Sequence, residues 1–331
     1  MKKILGISIL LLLSACNKPA TKKETQTIST NDSRVVSKQN EWDTSYGGVD
    51  KSYDTGLLKM RDKVAPTFKT LEFKDKVTGK TMNYHLFIPK NYDKSKTYPL
   101  VLFMADASTV GKPAIAPLMQ GYGGIIWATD ESQAKNPSFV LVPSYKGPET
   151  VVNDKWQITD EADITLRLLD TVVSEYHIDK NRLYTTGQSM GGMMSFYFNS
   201  KHPGLFAASL FVGSQWDISV LEPLAHMKFF YIVSAGDEKA SNGMKEVGEM
   251  LTKKGVVFGK QEFPATLPPE EQEKQAAHLI SEGHSINFIQ FTKGTVAPKG
   301  VTGGGMEHMY SFDHAYTLKS VRDWLFKQTK K

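Results

Sequence analysis

Residues 182–192 read Arg-Leu-Tyr-Thr-Thr-Gly-Gln-Ser-Met-Gly-Gly, and within them lies the pattern Gly187-Gln188-Ser189-Met190-Gly191. Five residues alone decide nothing. G-x-S-x-G carries meaning where a strand turns sharply into a helix and pushes the serine hydroxyl out at the top of a sheet. Here Arg182-Leu-Tyr-Thr-Thr186 reads as a strand and residues 190–199 read as a helix, so the setting fits. Gly187 and Gly191 permit the close backbone approach such a turn needs, and Gly192 leaves the helix room against its neighbours. Ser189 is therefore the candidate nucleophile. The N–H of Met190, at the helix N-terminus, is a candidate donor to a developing oxyanion. The plainer alternative is a Gly-rich turn with a capping serine.

The surrounding chain supplies the fold. Upstream, Phe68-Lys-Thr-Leu-Glu-Phe73 and Met82-Asn-Tyr-His-Leu-Phe-Ile88 alternate apolar and polar residues, as half-buried antiparallel strands do. Leu100-Val-Leu-Phe-Met104 and Phe139-Val-Leu-Val142 are short continuous apolar runs, the mark of strands buried on both faces. Residues 163–176 carry apolar side chains at helical spacing. Two more apolar runs follow at 206–212 and 229–233, then an expected helix at 243–253, a strand at 286–291 and a closing helix at 313–327. Antiparallel strands first and strand–helix units after predict an α/β fold. Its central sheet is mainly parallel, with antiparallel N-terminal strands and helices on both faces.

A serine hydroxyl is a poor nucleophile near neutral pH and needs a base that a carboxylate orients. In this strand–helix order the partners follow downstream, acid first and histidine second. Asp237 ends the run Phe229-Phe-Tyr-Ile-Val-Ser-Ala-Gly-Asp237 and is the preferred acid, with Glu238 and Asp217 as fallbacks. Of eight histidines, His85, His177, His202 and His226 lie in or beside regular elements, and His278 and His284 flank an acidic stretch. His308 is the preferred base, expected in a glycine-rich loop between the last strand and last helix. His314, six residues on, is its competitor.

The chain is long enough for a sizeable core, with 331 residues of which 40% are apolar. The net charge of +5 gathers partly at the two ends, and no basic stripe interleaves with aromatics, which argues against a nucleic-acid partner. No cofactor motif appears. No histidine pair has zinc-helix spacing, so no metal is expected. The single cysteine, Cys16, excludes a disulfide framework. Lys2 and Lys3 precede an apolar stretch at 4–13 that is too short to span a membrane as a mature helix. Leu13-Ser14-Ala15-Cys16 resembles the lipobox of bacterial lipoproteins. That resemblance implies a signal peptide at 1–15 and lipidation of Cys16, which places the protein at a membrane, facing out of the cytoplasm. Residues 16–40 read as a flexible tether, residues 41–65 as an irregular arm, and residues 66–331 as the catalytic domain.

From Pro66 to Phe326 the chain resembles the α/β-hydrolase superfamily. More narrowly it is similar to secreted esterases of the polyhydroxybutyrate-depolymerase-like and feruloyl-esterase-like group, often labelled predicted peptidases. The stretches that carry the likeness are Tyr98-Pro-Leu-Val-Leu-Phe103, Pro137-Ser-Phe-Val-Leu-Val-Pro143, Tyr176-His-Ile-Asp-Lys-Asn-Arg182 through Gly192, and Asp323-Trp-Leu-Phe326. The resemblance implies a Ser-Asp-His triad on Ser189, Asp237 and His308. It also implies a small-molecule or polymer-derived ester as substrate. Such esterases usually carry His-Gly after the third strand, where a following N–H completes the oxyanion hole. Ala105 and Asp106 stand there in this chain, which leaves the N–H of Ala107 as the second donor. Either the loop is re-routed, or Asp106 reads a substrate group, or activity is reduced. A serine peptidase or amidase on the same triad, and a non-catalytic surface binding protein, are the competing readings.

Overall fold

The buried apolar runs become the middle of one nine-stranded sheet. A computed structural model describes residues 42–301 and 305–330. Cys16, the expected signal peptide and the expected tether lie outside the described residues. After a 3₁₀ turn at Thr44–Tyr46, helix α1 spans Thr55–Val64. Next come β1 (Lys69–Lys74), β2 (Thr81–Phe87), β3 (Tyr98–Met104), α2 (Ala116–Met119), α3 (Asp130–Lys135) and β4 (Phe139–Ser144). The centre holds α4 (Asp160–Glu175), β5 (Ile178–Gln188), α5 (Met190–Lys201), β6 (Ala208–Val212), β7 (Phe229–Ser234) and α6 (Glu238–Lys253). The chain closes with β8 (Gly259–Phe263), α7 (Pro269–Ser281), β9 (Ile286–Phe291), α8 (Met306–Thr317) and α9 (Lys319–Phe326).

The strand order is β1-β2-β4-β3-β5-β6-β7-β9-β8. β1 with β2 and β2 with β4 are antiparallel; every other pairing is parallel. This is the expected mainly parallel sheet with an antiparallel N-terminal edge. Every residue of β3, β4, β6 and β7 is buried, as strands covered on both faces must be. Side chains alternate between the two faces. Val101 and Phe103 point into a core shared with Leu57, Trp127, Tyr316 and Trp324. Leu100, Leu102 and Met104 point into the other core, with Leu168, Phe196 and Val247.

Three details depart from the sequence expectation. Residues 41–65 were expected to be irregular, yet α1 forms there. Asp54 caps it by accepting from Leu57 N, and Leu57, Leu58, Arg61 and Val64 turn one side inward. The expected single helix at 313–327 is two helices, α8 and α9, with Leu318 extended between them (φ −64°, ψ 97°). β8 was not foreseen, because this edge strand buries only Gly259 and Phe263 and reads as polar. Among the described residues no helix is long and apolar enough to cross a membrane.

Candidate active site

Ser189 stands between β5 and α5 with φ 51° and ψ −119°, one of two non-glycine residues with positive φ among those described. Such a conformation costs on the order of 1–3 kcal/mol and persists only where the surroundings fix it. Two glycines do so by absence of a side chain. A Cβ on Gly187 would lie 2.3 Å from the carbonyl carbon of Gly191, and one on Gly191 would lie 1.9 Å from the Met104 oxygen. The start of α5 thus rests directly on the end of β3. Ser189 N donates to the Val212 carbonyl of β6 at 3.0 Å, and Met193 N donates to the Ser189 carbonyl at 2.9 Å. Backbone bonds therefore hold the serine on both sides.

Asp237 follows β7 and caps α6, its Oδ1 accepting from Ala240 N at 3.3 Å. Its Oδ2 takes the proton-bearing Nδ1 of His308 at 2.5 Å, and His308 Nε2 lies 2.8 Å from Ser189 Oγ. With Nδ1–H given to the carboxylate, Nε2 keeps its lone pair and accepts the serine O–H. Asp237 is 8% exposed, so the carboxylate faces the imidazole with little competing water. The three expected residues are brought into one hydrogen-bonded chain. The fallbacks are not: Asp217 caps a 3₁₀ turn by accepting from Ser219 N, and Glu238 is exposed. His314 points elsewhere, with Nε2 bonded to the Val296 carbonyl. Burial holds the His314 ring below its ordinary pKa.

His308 differs from expectation in its setting. It sits in the first turn of α8, after Gly305 in the left-handed region (φ 89°). Helical geometry lets its neighbour brace it, which sequence reading missed. Glu307 accepts from Ser234 Oγ at the end of β7 and from Gly294 N at 2.8 Å. Phe312 packs edge-on to the His308 ring at 4.9 Å, one turn further along the same helix.

The two candidate oxyanion donors lie on adjoining segments. Met190 N–H is at the first position of α5, one of the amides a helix leaves without an intrahelical acceptor. Ala107 N–H opens a 3₁₀ turn, Ala107–Thr109, just beyond β3. Asp106, placed where charge would oppose an oxyanion, has its carboxylate occupied. Oδ1 caps the turn through Ser108 N at 2.8 Å, and Oδ2 accepts from Gln188 Nε2 at 2.8 Å. The loop is therefore an ordered turn with its acid tied inward.

A cavity of about 520 Å³ opens at Ser189 and His308, walled by Met193, Gln215, Asp154 and Lys239. Asp154 accepts from Gln215 at 3.0 Å and from Lys239 at 2.5 Å, so the loop bearing it is pinned across the cavity edge. Trp156, on that loop, has φ 62° and packs at 5.3 Å on Trp216. A larger groove of about 660 Å³ runs along α6 and contains neither Ser189 nor His308. Among the described residues no group of three or more His, Cys, Asp or Glu side chains is placed to hold a metal ion.

Residues 76–219 match the family described as "Putative esterase", a segment that includes Ser189 and the Asp106 turn and ends before Asp237 and His308. By sequence, no curated protein matches the chain significantly. A thermostable esterase of known structure is 23% identical with a TM-score of 0.64, over 81% of this chain and 64% of that one. This chain therefore spans less than two thirds of that esterase. A mutant feruloyl esterase module from Clostridium thermocellum, solved with sinapinate, is 12% identical with a TM-score of 0.51, over 77% of this chain and 87% of that one. The chain has the α/β-hydrolase fold, and its residues 76–219 match the "Putative esterase" family.

Proposed function

We propose that the protein is a serine carboxylic-ester hydrolase held by lipid on Cys16 at an extracytoplasmic membrane face. The observation that carries this reading is the chain from Asp237 Oδ2 to His308 Nδ1 at 2.5 Å and from His308 Nε2 to Ser189 Oγ at 2.8 Å. His308 takes the hydroxyl proton as Ser189 Oγ bonds to the ester carbon, and Asp237 stabilises the imidazolium that forms. The carbonyl oxygen gains charge against the N–H groups of Met190 and Ala107. Collapse of the tetrahedral intermediate expels the alcohol, which leaves with the proton from His308. Water, deprotonated by the same histidine, then frees the acid and restores Ser189.

The cavity favours a polar substrate. Of the side chains that wall it, Met193 is the apolar one, while Gln215, Asp154, Glu238 and Lys239 offer donors and acceptors. A short acyl group on a hydroxylated alcohol, free or polymer-derived, fits that wall better than a long alkyl chain. The esterases similar in fold support ester chemistry. The lipobox-like stretch ending at Cys16 supports the anchor, since two acyl chains hold stably where one does not.

The test is labelling with a fluorophosphonate probe, with Ser189→Ala as control, together with turnover of short p-nitrophenyl esters against peptide anilides. Stoichiometric, Ser189-dependent labelling with ester turnover is expected. Absence of labelling in the folded wild type would leave a binding protein, and turnover of anilides alone would make it a peptidase. Metabolic labelling with a clickable fatty acid, lost in Cys16→Ser, tests the anchor.

A further inference from the structure

β3 and β5 run side by side until the pair Met104–Gly187, and there they part. β3 goes into the 3₁₀ turn that begins with Ala107, and β5 goes into the turn that carries Ser189 and Met190. The two candidate oxyanion donors therefore sit on segments that no backbone ladder joins. One side-chain bond does join them. Asp106 Oδ2 accepts from Gln188 Nε2 at 2.8 Å, and both residues are 2% exposed.

We propose that Asp106 and Gln188 are positioning residues that hold the Ala107 and Met190 N–H groups in register for the oxyanion. This rests on the serine-esterase reading above. Each oxygen of Asp106 has a separate task. Oδ1 fixes its own turn through Ser108 N, and Oδ2 reaches across to the serine's segment. A buried carboxylate is costly unless hydrogen-bonded, so the pair is retained against a penalty that a glycine here would not carry.

The orientation of Gln188 argues the same way. Its Nε2 donates to Asp106 and, at 3.2 Å, to Gln120 Oε1, while its own Oε1 is buried with no partner among the described residues. An orphaned buried acceptor costs stability. Turning the amide over would set Oε1 against the Asp106 carboxylate and the Gln120 oxygen, which is worse. The donor end is thus the one the site keeps. The bracing extends outward: Gln120 Nε2 donates to Ser108 Oγ at 3.0 Å, and that hydroxyl accepts from Gly48 N at 2.7 Å. Four side chains and one backbone amide close around the turn that presents Ala107.

The experiment exchanges donor and acceptor. Gln188→Glu sets two carboxylates face to face, whereas Asp106→Asn leaves one bond available, because Gln188 can turn its amide and accept at Oε1 from the new amide. The double variant rebuilds one bond with its direction reversed, from the amide now at position 106 to the carboxylate now at position 188. Gln120 can turn to suit it, because the Ser108 hydroxyl can donate as well as accept. Steady-state hydrolysis of p-nitrophenyl acetate, inhibition by a boronic acid that becomes tetrahedral on Ser189, and thermal melts are measured on all four proteins. Since loss of one oxyanion donor costs about 10²–10³ in kcat, misplacing two is expected to lower kcat by about 10- to 100-fold in Gln188→Glu, with a smaller loss in Asp106→Asn. KM should change by less than about 3-fold, and boronate affinity should fall in parallel with kcat. The double variant should regain at least about 10-fold over the Gln188→Glu protein.

A folded Gln188→Glu protein with wild-type kcat overturns the proposal, as does a double variant no better than that protein. If Gln188→Glu does not fold, Gln188→Met removes the bond without adding charge, and wild-type kcat in that variant overturns the proposal equally. Fluorophosphonate labelling of the wild type separates the two levels. An unlabelled wild type removes the esterase reading and this proposal together, whereas a labelled wild type with unaffected variants removes this proposal alone.

Discussion

The Asp237 carboxylate holds His308 with one oxygen, at 2.5 Å from Nδ1, and caps helix α6 with the other, at 3.3 Å from Ala240 N. One side chain thus serves a helix terminus and the candidate base. Substitutions separate the two roles. Asparagine caps helices about as well as aspartate but carries no charge to match an imidazolium. Asp237→Asn is expected to lower kcat about 10³- to 10⁴-fold with an unfolding midpoint close to wild type. Asp237→Ala should also lose stability, by about 1 kcal/mol from the missing cap. Esterase assays and urea melts on both proteins decide it; equal stability loss in both would remove the capping role.

Strain at Ser189 makes a prediction of opposite sign for stability and activity. Glycine accepts φ 51° and ψ −119° readily, whereas alanine does not. Both substitutions remove the candidate nucleophile and should abolish turnover. Relief of strain, less the greater entropy of glycine in the unfolded chain, should leave Ser189→Gly about 1 kcal/mol more stable than Ser189→Ala. Urea unfolding compares them, and a less stable glycine variant would show that the turn is not strained.

Glu307 acts on the reaction through its neighbour. Its carboxylate joins Ser234 and Gly294 and so fixes the first turn of α8, where His308 begins its reach. Glu307→Ala is expected to lower kcat by about 10-fold with KM nearly unchanged, because geometry at the base matters in the transition state more than in binding. Glu307→Gln, which can still accept from Gly294 N, should recover part of the loss. A change confined to KM would place Glu307 in substrate binding instead.

Two buried histidines contribute to the pH dependence of stability. His85 donates Nε2–H to the Ala114 carbonyl at 2.6 Å, and His314 meets the Val296 carbonyl at 3.1 Å. Burial holds both below the ordinary value of 6.5. The unfolded chain then binds protons at a higher pH than the folded one. Their contribution is complete above about pH 6.5 and is lost as the pH falls through the lower folded values. Asp75, held down by the Arg167 hydrogen bonds, adds a further loss in more acid solution, below the ordinary carboxylate value of 3.8. Unfolding free energies at pH 7.5 and 5.5 should show the decline, and His314→Gln should flatten it. A stability that stays level across that range would contradict the neutral, buried assignment.

The elbow was legible because its signals are local: two glycines at fixed spacing, an extended run before and a helix after. Asp237 was legible for the same reason, at the end of an apolar strand. The setting of His308 was not. Its preceding glycines read as loop, and the helix there is fixed by Glu307 through Gly294 and through Ser234, the latter 73 residues away. The fate of Asp106 was likewise hidden, since its partner Gln188 is 82 residues away. Helix α1 escaped notice because its inward side includes Arg61, which lies over the Trp42 ring at 5.5 Å and reads as surface in a sequence.

Gly48 donates to Ser108 Oγ, and a Cβ on Gly47 would lie 2.3 Å from the Ser108 carbonyl oxygen, so the first described residues are keyed into the turn that presents Ala107. The practical border of the working unit is therefore near Trp42. A fragment begun at Pro66, where the likeness to hydrolases starts, would fold without the amide that anchors Ser108 and without the Lys51 ammonium that meets Asp313 at 2.7 Å in the interior. Loss of residues 42–54 would remove the Gly48 amide and the Lys51 ammonium while leaving Ser189, Asp237 and His308 in the chain.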